Sequence, residues 1–128
     1  MNKHLVFVYG TLRRGSVGAM SIRFPEARFI AEAKVTGCLY DLGAYPGLIL
    51  DGSNTLVNGE VYEVDDELLD ELDAFEASSH YLRKQVELSP GGRKTCWTYE
   101  PDPDFYSLNT LIPSGDWLEY ARARVNSR

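Results

Sequence analysis

Residues 5–15 read Leu5-Val6-Phe7-Val8-Tyr9-Gly10-Thr11-Leu12-Arg13-Arg14-Gly15, an apolar run that ends abruptly in polar residues and glycine. A short run of β-branched and aromatic residues bounded by glycine is typical of a central strand, because a helix needs a longer segment with a 3.6-residue period. The stretch therefore predicts a buried strand that leads into a polar loop. Loops at the ends of rigid strands often bind ligands through free backbone donors. Arg13 and Arg14 suit either anion binding or plain solvation of this loop.

Length and charge limit the class of protein. With 128 residues, the chain is predicted to form a single domain over residues 1–128 with one core. The net charge of -6 argues against a nucleic-acid partner, since such proteins usually gather lysine and arginine on one face. No window reaches the roughly 18 apolar residues of a membrane span, and no signal peptide is evident. We expect a cytoplasmic protein with no membrane contact, and the sequence leaves its oligomeric state open.

Metal and nucleotide sites lack support in the sequence. Cys38 and Cys96 are far apart, and neither His4 nor His80 has another ligand at the spacing typical of a zinc site. The glycines of the first loop match neither the phosphate-binding loop nor the dinucleotide-binding fingerprint. We therefore expect no metal and no cofactor.

The rest of the chain predicts more strands than helices. Further strands are predicted at residues 29–40 with a bend or bulge at Gly37, 48–50, 56–64 with a bulge at Gly59, 81–89 and 94–100. Turns are predicted at Pro46-Gly47 (type II), 51–54 and 90–92, and a final helix is predicted from about residue 114 to Val125. Because most connections are too short for parallel crossovers, we predict an α+β fold: a small mixed, partly antiparallel β-barrel of about six strands with flanking helices.

A helix is predicted from Asp65 to Glu76, with acidic residues in its first turn. At about 100° per residue, its leucines and Phe75 share one face, and Glu76 lies among them, whereas Asp73 and the other acidic residues face water. Burial disfavours the charged form of a carboxyl group, raises its pKa and suits it to proton transfer near neutral pH. The alternative is that the helix frays before Glu76 and the side chain turns to solvent.

Tyr81 and His80, which follow the helix, are further candidate site residues. Tyr81 follows the segment after Glu76 and is the tyrosine that best fits a ligand contact, although tyrosines at such positions are commonly core or rim residues. His80 fits either a second proton carrier at the pocket or an ordinary surface histidine. The sequence does not choose between these alternatives.

Several segments, in this order and spacing, resemble the gamma-glutamylcyclotransferase-like superfamily. The resemblance is closest to the compact branch that includes gamma-glutamylamine cyclotransferase and many bacterial proteins. It covers nearly the whole chain and rests on Phe7-Val8-Tyr9-Gly10-Thr11-Leu12-Arg13-Arg14-Gly15, Tyr45-Pro46-Gly47-Leu48, Val57-Asn58-Gly59-Glu60-Val61-Tyr62, Leu72-Asp73-Ala74-Phe75-Glu76, Tyr81-Leu82-Arg83 and Ser114-Gly115-Asp116-Trp117. After Glu76 the chain continues Ala77-Ser78-Ser79-His80, where many members have glycine and a different loop, which leaves the substrate range open.

The resemblance implies a cofactor-independent enzyme that acts on a small γ-glutamyl substrate. In such a reaction the substrate α-amine attacks its own γ-carbonyl, which releases 5-oxoproline and an amine. By this likeness, Glu76 is the general acid and base, and the loop of Tyr9, Gly10, Thr11 and Leu12 binds the substrate through backbone amides. Either Tyr81 or a loop N–H would stabilise the γ-carbonyl oxygen.

Two other functions remain open from the sequence. The first is a non-catalytic or regulatory module that binds a small carboxylated ligand in the same pocket. The second is a scaffold for protein partners, which the aromatic-rich region from Trp97 to Trp117 would serve if it were exposed.

Overall fold

A computed structural model describes residues 2–16, 18–53, 55–89 and 94–126, of which residues 125 and 126 are described by their backbone alone. Its elements in chain order are β1 (Lys3–Val8), α1 (Met20–Arg23), β2 (Arg28–Thr36), β3 (Cys38–Asp41), β4 (Pro46–Ile49), β5 (Leu56–Asp65), α2 (Asp66–Ala77), β6 (Tyr81–Glu87), β7 (Thr95–Pro101), β8 (Thr110–Leu111) and α3 (Trp117–Asn126). The turn predicted at residues 90–92 and the side chain of Val125 lie outside this description.

The strands form two sheets. A five-stranded sheet has the order β2-β5-β1-β7-β6, and a three-stranded sheet has the order β4-β3-β8. Strand β1 is in the middle of the larger sheet, as its apolar sequence predicts, antiparallel to β5 and parallel to β7. The other strand pairs are antiparallel. The α+β class with mostly antiparallel pairing is therefore confirmed.

The barrel predicted from the sequence is not confirmed, because the larger sheet is not closed. Within the described residues, its edge strand β2 meets the chain beyond β6 at one isolated bridge, where the Ser89 N–H donates to the Lys34 carbonyl at 2.7 Å. The long strand predicted at residues 29–40 is two strands, β2 and β3, in different sheets. At Gly37 between them, a Cβ atom would lie 2.8 Å from the Ile49 carbonyl oxygen, so only glycine fits where the chain changes sheets.

Two other local predictions are wrong. Pro46 and Gly47 are not a turn but the first residues of β4, where a proline needs no ladder donor. The turn precedes them, with the Leu42 N–H bonded to the Tyr45 carbonyl at 2.9 Å and Gly43 at a φ of 102°. The pairing register runs through Gly59 without a bulge, and the irregularity lies opposite, in β2. Gly59 is required because a Cβ atom there would lie 2.2 Å from the Val8 carbonyl oxygen.

Apolar side chains cover both faces of the larger sheet. Alternate residues of β1 point to opposite faces, so Val6 and Val8 belong to one buried cluster and Phe7 to the other. The first cluster contains the three buried leucines of α2, namely Leu68, Leu69 and Leu72. The second contains residues of the smaller sheet and Trp117 of α3. Helix α2 and the smaller sheet thus lie against opposite faces.

Helix α2 begins and ends close to the predicted positions. The Asp65 carboxylate accepts a hydrogen bond from the Leu68 N–H at 2.8 Å, which caps the first turn. The helix continues to Ala77, so Glu76 lies within its last turn. Fraying before Glu76, the alternative left open by the sequence, does not occur.

Candidate functional site

A cavity of about 410 Å³ opens where β1 ends, between the loop residues 9–12, 16 and 18, the start of β4 and the last turn of α2. The structure brings together all six site residues predicted from the sequence, since the cavity lining includes Tyr9, Gly10, Thr11, Leu12, Glu76 and Tyr81. The remaining wall combines apolar and aromatic side chains with an arginine and serines, namely Arg23, Ser16, Ser78 and Ser79. This combination of a mostly apolar cleft with a few polar groups is typical of small-molecule sites.

Glu76 is the acidic side chain of this lining. Its carboxyl group makes no hydrogen bond or ion pair with any described residue, and burial raises its pKa from 4.5 to about 7. Both protonation states are therefore accessible near neutral pH. A carboxyl group in this condition can accept a proton and return it.

The other acidic residues of α2 behave as predicted, with one exception. Asp66, Glu67, Asp70 and Glu71 are exposed. Asp73, which was expected to face water, is partly buried and accepts a hydrogen bond from the Tyr99 hydroxyl at 2.7 Å. Tyr99 of β7 explains this difference, because a contact between the helix and a strand 26 residues away cannot be predicted from the helix sequence alone.

The loop after β1 presents free backbone donors. The carbonyl groups of Gly10 and Leu12 accept hydrogen bonds from the N–H groups of Arg13 and Met20 at 3.0 and 2.8 Å. In contrast, the N–H groups of Gly10, Thr11 and Leu12 donate to no other described residue. Gly10 also packs against the start of β4, where a Cβ atom would lie 2.7 Å from the Pro46 ring. Three adjacent cavity-lining residues thus keep their N–H groups available.

The hydroxyl groups of Tyr9 and Tyr81, the two tyrosines predicted to line the site, already have acceptors. The Tyr9 hydroxyl donates to the Tyr99 carbonyl at 2.6 Å, and the Tyr81 hydroxyl donates to the Pro46 carbonyl at 2.7 Å. Burial raises the pKa of both phenols above the ordinary value, so both keep their protons. Each hydroxyl can still accept a hydrogen bond, but its single hydrogen is engaged.

The structure places three other candidates outside the cavity. The Arg13 guanidinium binds the carboxylates of Glu60 and Asp116, and the Arg14 guanidinium lies 3.9 Å from the centre of the Phe29 ring. Neither arginine is part of the cavity lining. His80 is exposed, adopts a φ of 64° and stacks on the Phe105 ring with a centroid distance of 3.6 Å. Among the alternatives for His80, the surface position is the one found.

Arg23 is a cavity residue that the sequence did not reveal. It ends α1, and among the described residues it is the cationic side chain of the lining. Its guanidinium lies 5.4 Å from the centre of the Phe75 ring and has no carboxylate partner among the described residues. A Cβ atom at Gly18 would lie 3.3 Å from Arg23 Nε and 3.4 Å from the Thr11 carbonyl oxygen, which places Arg23 beside the donor loop. Residues 19–29 lack a clear period, so no sequence signal identified it.

Metal-binding clusters and membrane-spanning helices are both absent from the described part of the chain. Among residues 2–16, 18–53, 55–89 and 94–126, no group of three or more His, Cys, Asp or Glu side chains is arranged to hold a metal ion. Within the same ranges, no helix has the length and apolar character needed to cross a membrane.

Comparison with known proteins agrees with the motif analysis. The family model described as "Gamma-glutamyl cyclotransferase, AIG2-like" matches residues 6–119. The chain belongs to this family. The resemblance to gamma-glutamylcyclotransferase-like proteins predicted from the sequence is therefore confirmed.

Individual members are similar over most of their length. A Vibrio cholerae relative, whose name assigns it provisionally to the gamma-glutamylcyclotransferases, is 41% identical over 117 residues, which cover 91% of this chain and 97% of the relative. The gamma-L-glutamyl-butirosin B gamma-glutamyl cyclotransferase of Niallia circulans is 37% identical over 125 residues, covering 90% of this chain and 76% of that enzyme. The crystal structure of an AIG2-like protein from Mus musculus superposes with a TM-score of 0.66 at 28% identity, covering 91% of this chain and 95% of that one.

Proposed function

We propose that this chain is a cofactor-independent gamma-glutamyl cyclotransferase that converts a small γ-glutamyl compound into 5-oxoproline and a free amine. The observation that carries the proposal is the Glu76 carboxyl group, which has a pKa near 7 and no partner among the described residues. It lies in a cavity lined by three residues whose N–H groups donate to no described residue. Family membership supports the same chemistry.

Glu76 acts as general base and then as general acid. The α-amine of the substrate attacks the γ-carbonyl carbon, a five-membered ring forms, and the bond between that carbon and the leaving nitrogen breaks. One proton must leave the attacking amine and one must reach the departing nitrogen, so a single carboxyl group in contact with both nitrogens can carry out both transfers. No covalent bond to the protein is needed.

The backbone donors of Gly10, Thr11 and Leu12 bind the α-carboxylate end of the substrate. Fixing this end orients the amine towards the γ-carbonyl, and well-oriented intramolecular reactions can gain about 7 to 11 kcal/mol in this way. Arg23, which lies beside Thr11, adds a positive charge near the bound carboxylate. A rim position for Arg23 agrees with its exposure to solvent.

A loop N–H rather than Tyr81 stabilises the γ-carbonyl oxygen. The hydrogen of the Tyr81 hydroxyl is engaged by the Pro46 carbonyl, whereas the loop N–H groups have no acceptor among the described residues. Tyr9 and Tyr81 contribute their rings to the cavity wall and an oxygen that can accept from the substrate amine. The choice between the loop and Tyr81 therefore rests on the Tyr81 hydrogen already being bonded.

The proposed leaving group is an amine, as in the gamma-glutamylamine type, and the proposed setting is the cytoplasm. The Niallia circulans relative is named for removing a γ-glutamyl group from butirosin B, which supports an amine as the leaving group. The partner of the protein is then a small γ-glutamyl molecule rather than a macromolecule. The two tryptophans give a scaffold role little support, because Trp117 is 4% exposed and Trp97 lies partly buried under Arg83; Phe105, between them in sequence, is exposed and stacks on His80.

The test is release of 5-oxoproline from a panel of γ-glutamyl amines, amides and amino acids. We expect turnover with at least one compound and a loss of about 10²- to 10⁴-fold in kcat for Glu76→Gln, which keeps the shape but not the proton transfer. Glu71→Gln is the matched control, since Glu71 is exposed on the same helix.

Two outcomes would contradict the proposal. One is that no compound yields 5-oxoproline; the other is that Glu76→Gln turns over as fast as the wild type. If panel compounds raise the melting temperatures of the wild type and of Glu76→Gln without forming product, the chain is instead a ligand-binding module.

A further inference from the structure

Three segments of the sequence that the proposed chemistry leaves unused meet behind the substrate loop. They are Arg13-Arg14, Asn58-Gly59-Glu60 and Gly115-Asp116. We infer that the Arg13 guanidinium, held between the Glu60 and Asp116 carboxylates, positions the backbone donors that bind the substrate. We call Arg13, Glu60 and Asp116 the clasp, and this inference rests on the function proposed above.

Glu60 holds the chain directly after the donor residues at two points. One carboxylate oxygen accepts from Arg13 Nε at 3.1 Å, and the other accepts from the Arg14 N–H at 2.8 Å. Glu60 is only 2% exposed and lies opposite Val8, the last residue of β1. The anchor is therefore part of the central sheet, immediately beside the point where the loop begins.

Asp116 holds the other side of the same guanidinium. Its Oδ1 atom accepts from Arg13 Nη1 at 3.0 Å and from the Glu119 N–H at 3.1 Å, so it also caps α3. Its Oδ2 atom accepts from Asn58 Nδ2 at 3.3 Å. Burial alone would raise the pKa of Asp116, but these hydrogen bonds and the positive charge of Arg13 hold the pKa below the ordinary value.

Two glycines allow the clasp to close. A Cβ atom at Gly59 would lie 2.2 Å from the Val8 carbonyl oxygen, and one at Gly115 would lie 2.0 Å from the Leu56 carbonyl oxygen. Gly115 also has a φ of 67°, and its carbonyl accepts from the Asn58 N–H at 2.8 Å. Strand β5 can thus lie close against the end of β1, and the segment before α3 can lie close against β5, which brings both carboxylates within reach of Arg13.

Arg13 acts on the substrate only through the loop. None of the three clasp residues lines the cavity. The Arg13 N–H donates to the Gly10 carbonyl at 3.0 Å, so a shift of Arg13 moves the peptide units whose N–H groups bind the substrate in the proposed function. A planar guanidinium with several fixed donors can bridge two carboxylates, which the single ammonium of lysine cannot reproduce. These are positioning residues rather than catalytic ones.

The test compares Asp116→Asn and Arg13→Lys with the wild type. Asparagine is also a good helix cap, so Asp116→Asn removes the charge and keeps the start of α3. We expect kcat/KM for 5-oxoproline release to fall about tenfold or more in both variants, since small misplacements of bound groups are costly in catalysis. The apparent pKa of Glu76 in the pH profile stays the same, because the clasp does not contact it. The matched control is Arg28→Gln, which breaks the exposed Arg28–Glu63 pair on β2 and β5 and leaves kcat/KM unchanged.

A second measurement needs no substrate. The backbone amide resonances of Gly10, Thr11 and Leu12 shift in both clasp variants and stay in place in Arg28→Gln. If these resonances do not move, the inference is wrong even if the wild type is an active cyclotransferase. It is equally wrong if they move while kcat/KM of an active enzyme stays the same. If the resonances move and no γ-glutamyl compound is turned over by the wild type, the clasp positions the loop and the proposed function alone fails.

Discussion

The loop after β1 separates two groups of charged side chains: the clasp behind it, where the charges are paired, and the cavity in front of it, where they are not paired with any described residue. Behind the loop, Arg13 contacts Glu60 and Asp116, so each of these buried or partly buried charges has an ionic partner. In the cavity, Glu76 and Arg23 have no ionic partner among the described residues. A buried ion pair adds little net stability, since desolvation offsets much of the attraction between the charges. It does fix the positions of its members, because few arrangements keep both charges paired. A charge left unpaired keeps its capacity to interact with something that binds later.

The contrast is clearest between two glutamates that are both largely removed from water. Glu60 lies on β5 and its two oxygens accept from Arg13 and Arg14. Glu76 lies on α2 and has no hydrogen-bond or ionic partner among the described residues, so burial alone determines the shift of its pKa, to about 7. Burial of a carboxyl group therefore does not identify a catalytic residue by itself. The presence or absence of partners separates the structural residue from the proposed catalytic one.

Glu60→Gln removes the Arg13–Glu60 ion pair of the clasp and has the largest predicted effect on stability. Removing one member of a buried ion pair leaves its partner uncompensated, which commonly costs about 3 to 5 kcal/mol. Because Arg13 keeps Asp116, we expect a loss of about 3 kcal/mol in the free energy of unfolding, measured by urea denaturation at pH 7. Glu63→Gln, in an exposed pair on the same strand, should lose less than about 1 kcal/mol. Equal losses in the two variants would contradict the contrast.

The unpaired side predicts a pH dependence with a definite sign. The pKa of Glu76 rises from 4.5 in the unfolded chain to about 7 in the folded protein, so the folded state binds the proton more tightly. The stability contributed by this group is fully present below pH 4.5, falls as the pH rises through 7, and is constant above that value. With screening by water in the cavity, we expect a change of about 2 kcal/mol.

The measurement is the difference in unfolding free energy between wild type and Glu76→Gln, taken at pH values from 4 to 8. Subtraction removes the other titrating groups, which are common to both proteins. The variant should become the more stable of the two as the pH rises. A difference that does not vary with pH would mean that Glu76 is not desolvated as the structure indicates.

Local patterns predicted the parts of the molecule that depend on neighbours in sequence. The apolar run of β1, the cap at Asp65 and the inward face of α2 follow from short-range periodicity, and with them the position of Glu76. Residues that depend on distant contacts were missed or misassigned. Arg13 was an anion-binding candidate because its partners, Glu60 and Asp116, are 47 and 103 residues away.

Glycine and proline gave the least reliable signals, because one residue type serves several purposes. Gly59 was predicted as a bulge, but it is needed for the close approach of the Val8 carbonyl. Pro46-Gly47 was predicted as a turn, but Pro46 begins a strand and accepts the Tyr81 hydroxyl hydrogen. Arg23 was missed for a different reason, because residues 19–29 have no clear hydrophobic period. Only the three-dimensional arrangement distinguishes these uses.

Tyr81→Phe tests whether the Tyr81 hydroxyl, which is bonded to the Pro46 carbonyl, has a structural rather than a catalytic role. Since the Tyr81 hydrogen is engaged by the Pro46 carbonyl, its loss should lower kcat by less than about tenfold and cost about 1 kcal/mol of stability. Steady-state kinetics together with urea denaturation separates the two effects. A loss of about 100-fold or more in kcat would instead assign Tyr81 to the γ-carbonyl oxygen, as removal of an oxyanion donor does in other enzymes.

Arg23→Gln is the mildest test and addresses the positive charge on the unpaired side. Arg23 is exposed and its guanidinium contacts the Phe75 ring, so its attraction for a substrate carboxylate is partly screened. We expect KM to rise about fivefold with kcat nearly unchanged, the signature of lost binding that is equal in ground and transition states. The increase should shrink in high salt, whereas Arg28→Gln, which removes an exposed charge on β2, leaves KM the same. A fall in kcat at constant KM would mean that Arg23 acts on the reacting atoms, and the unpaired side would then contain two catalytic charges instead of one.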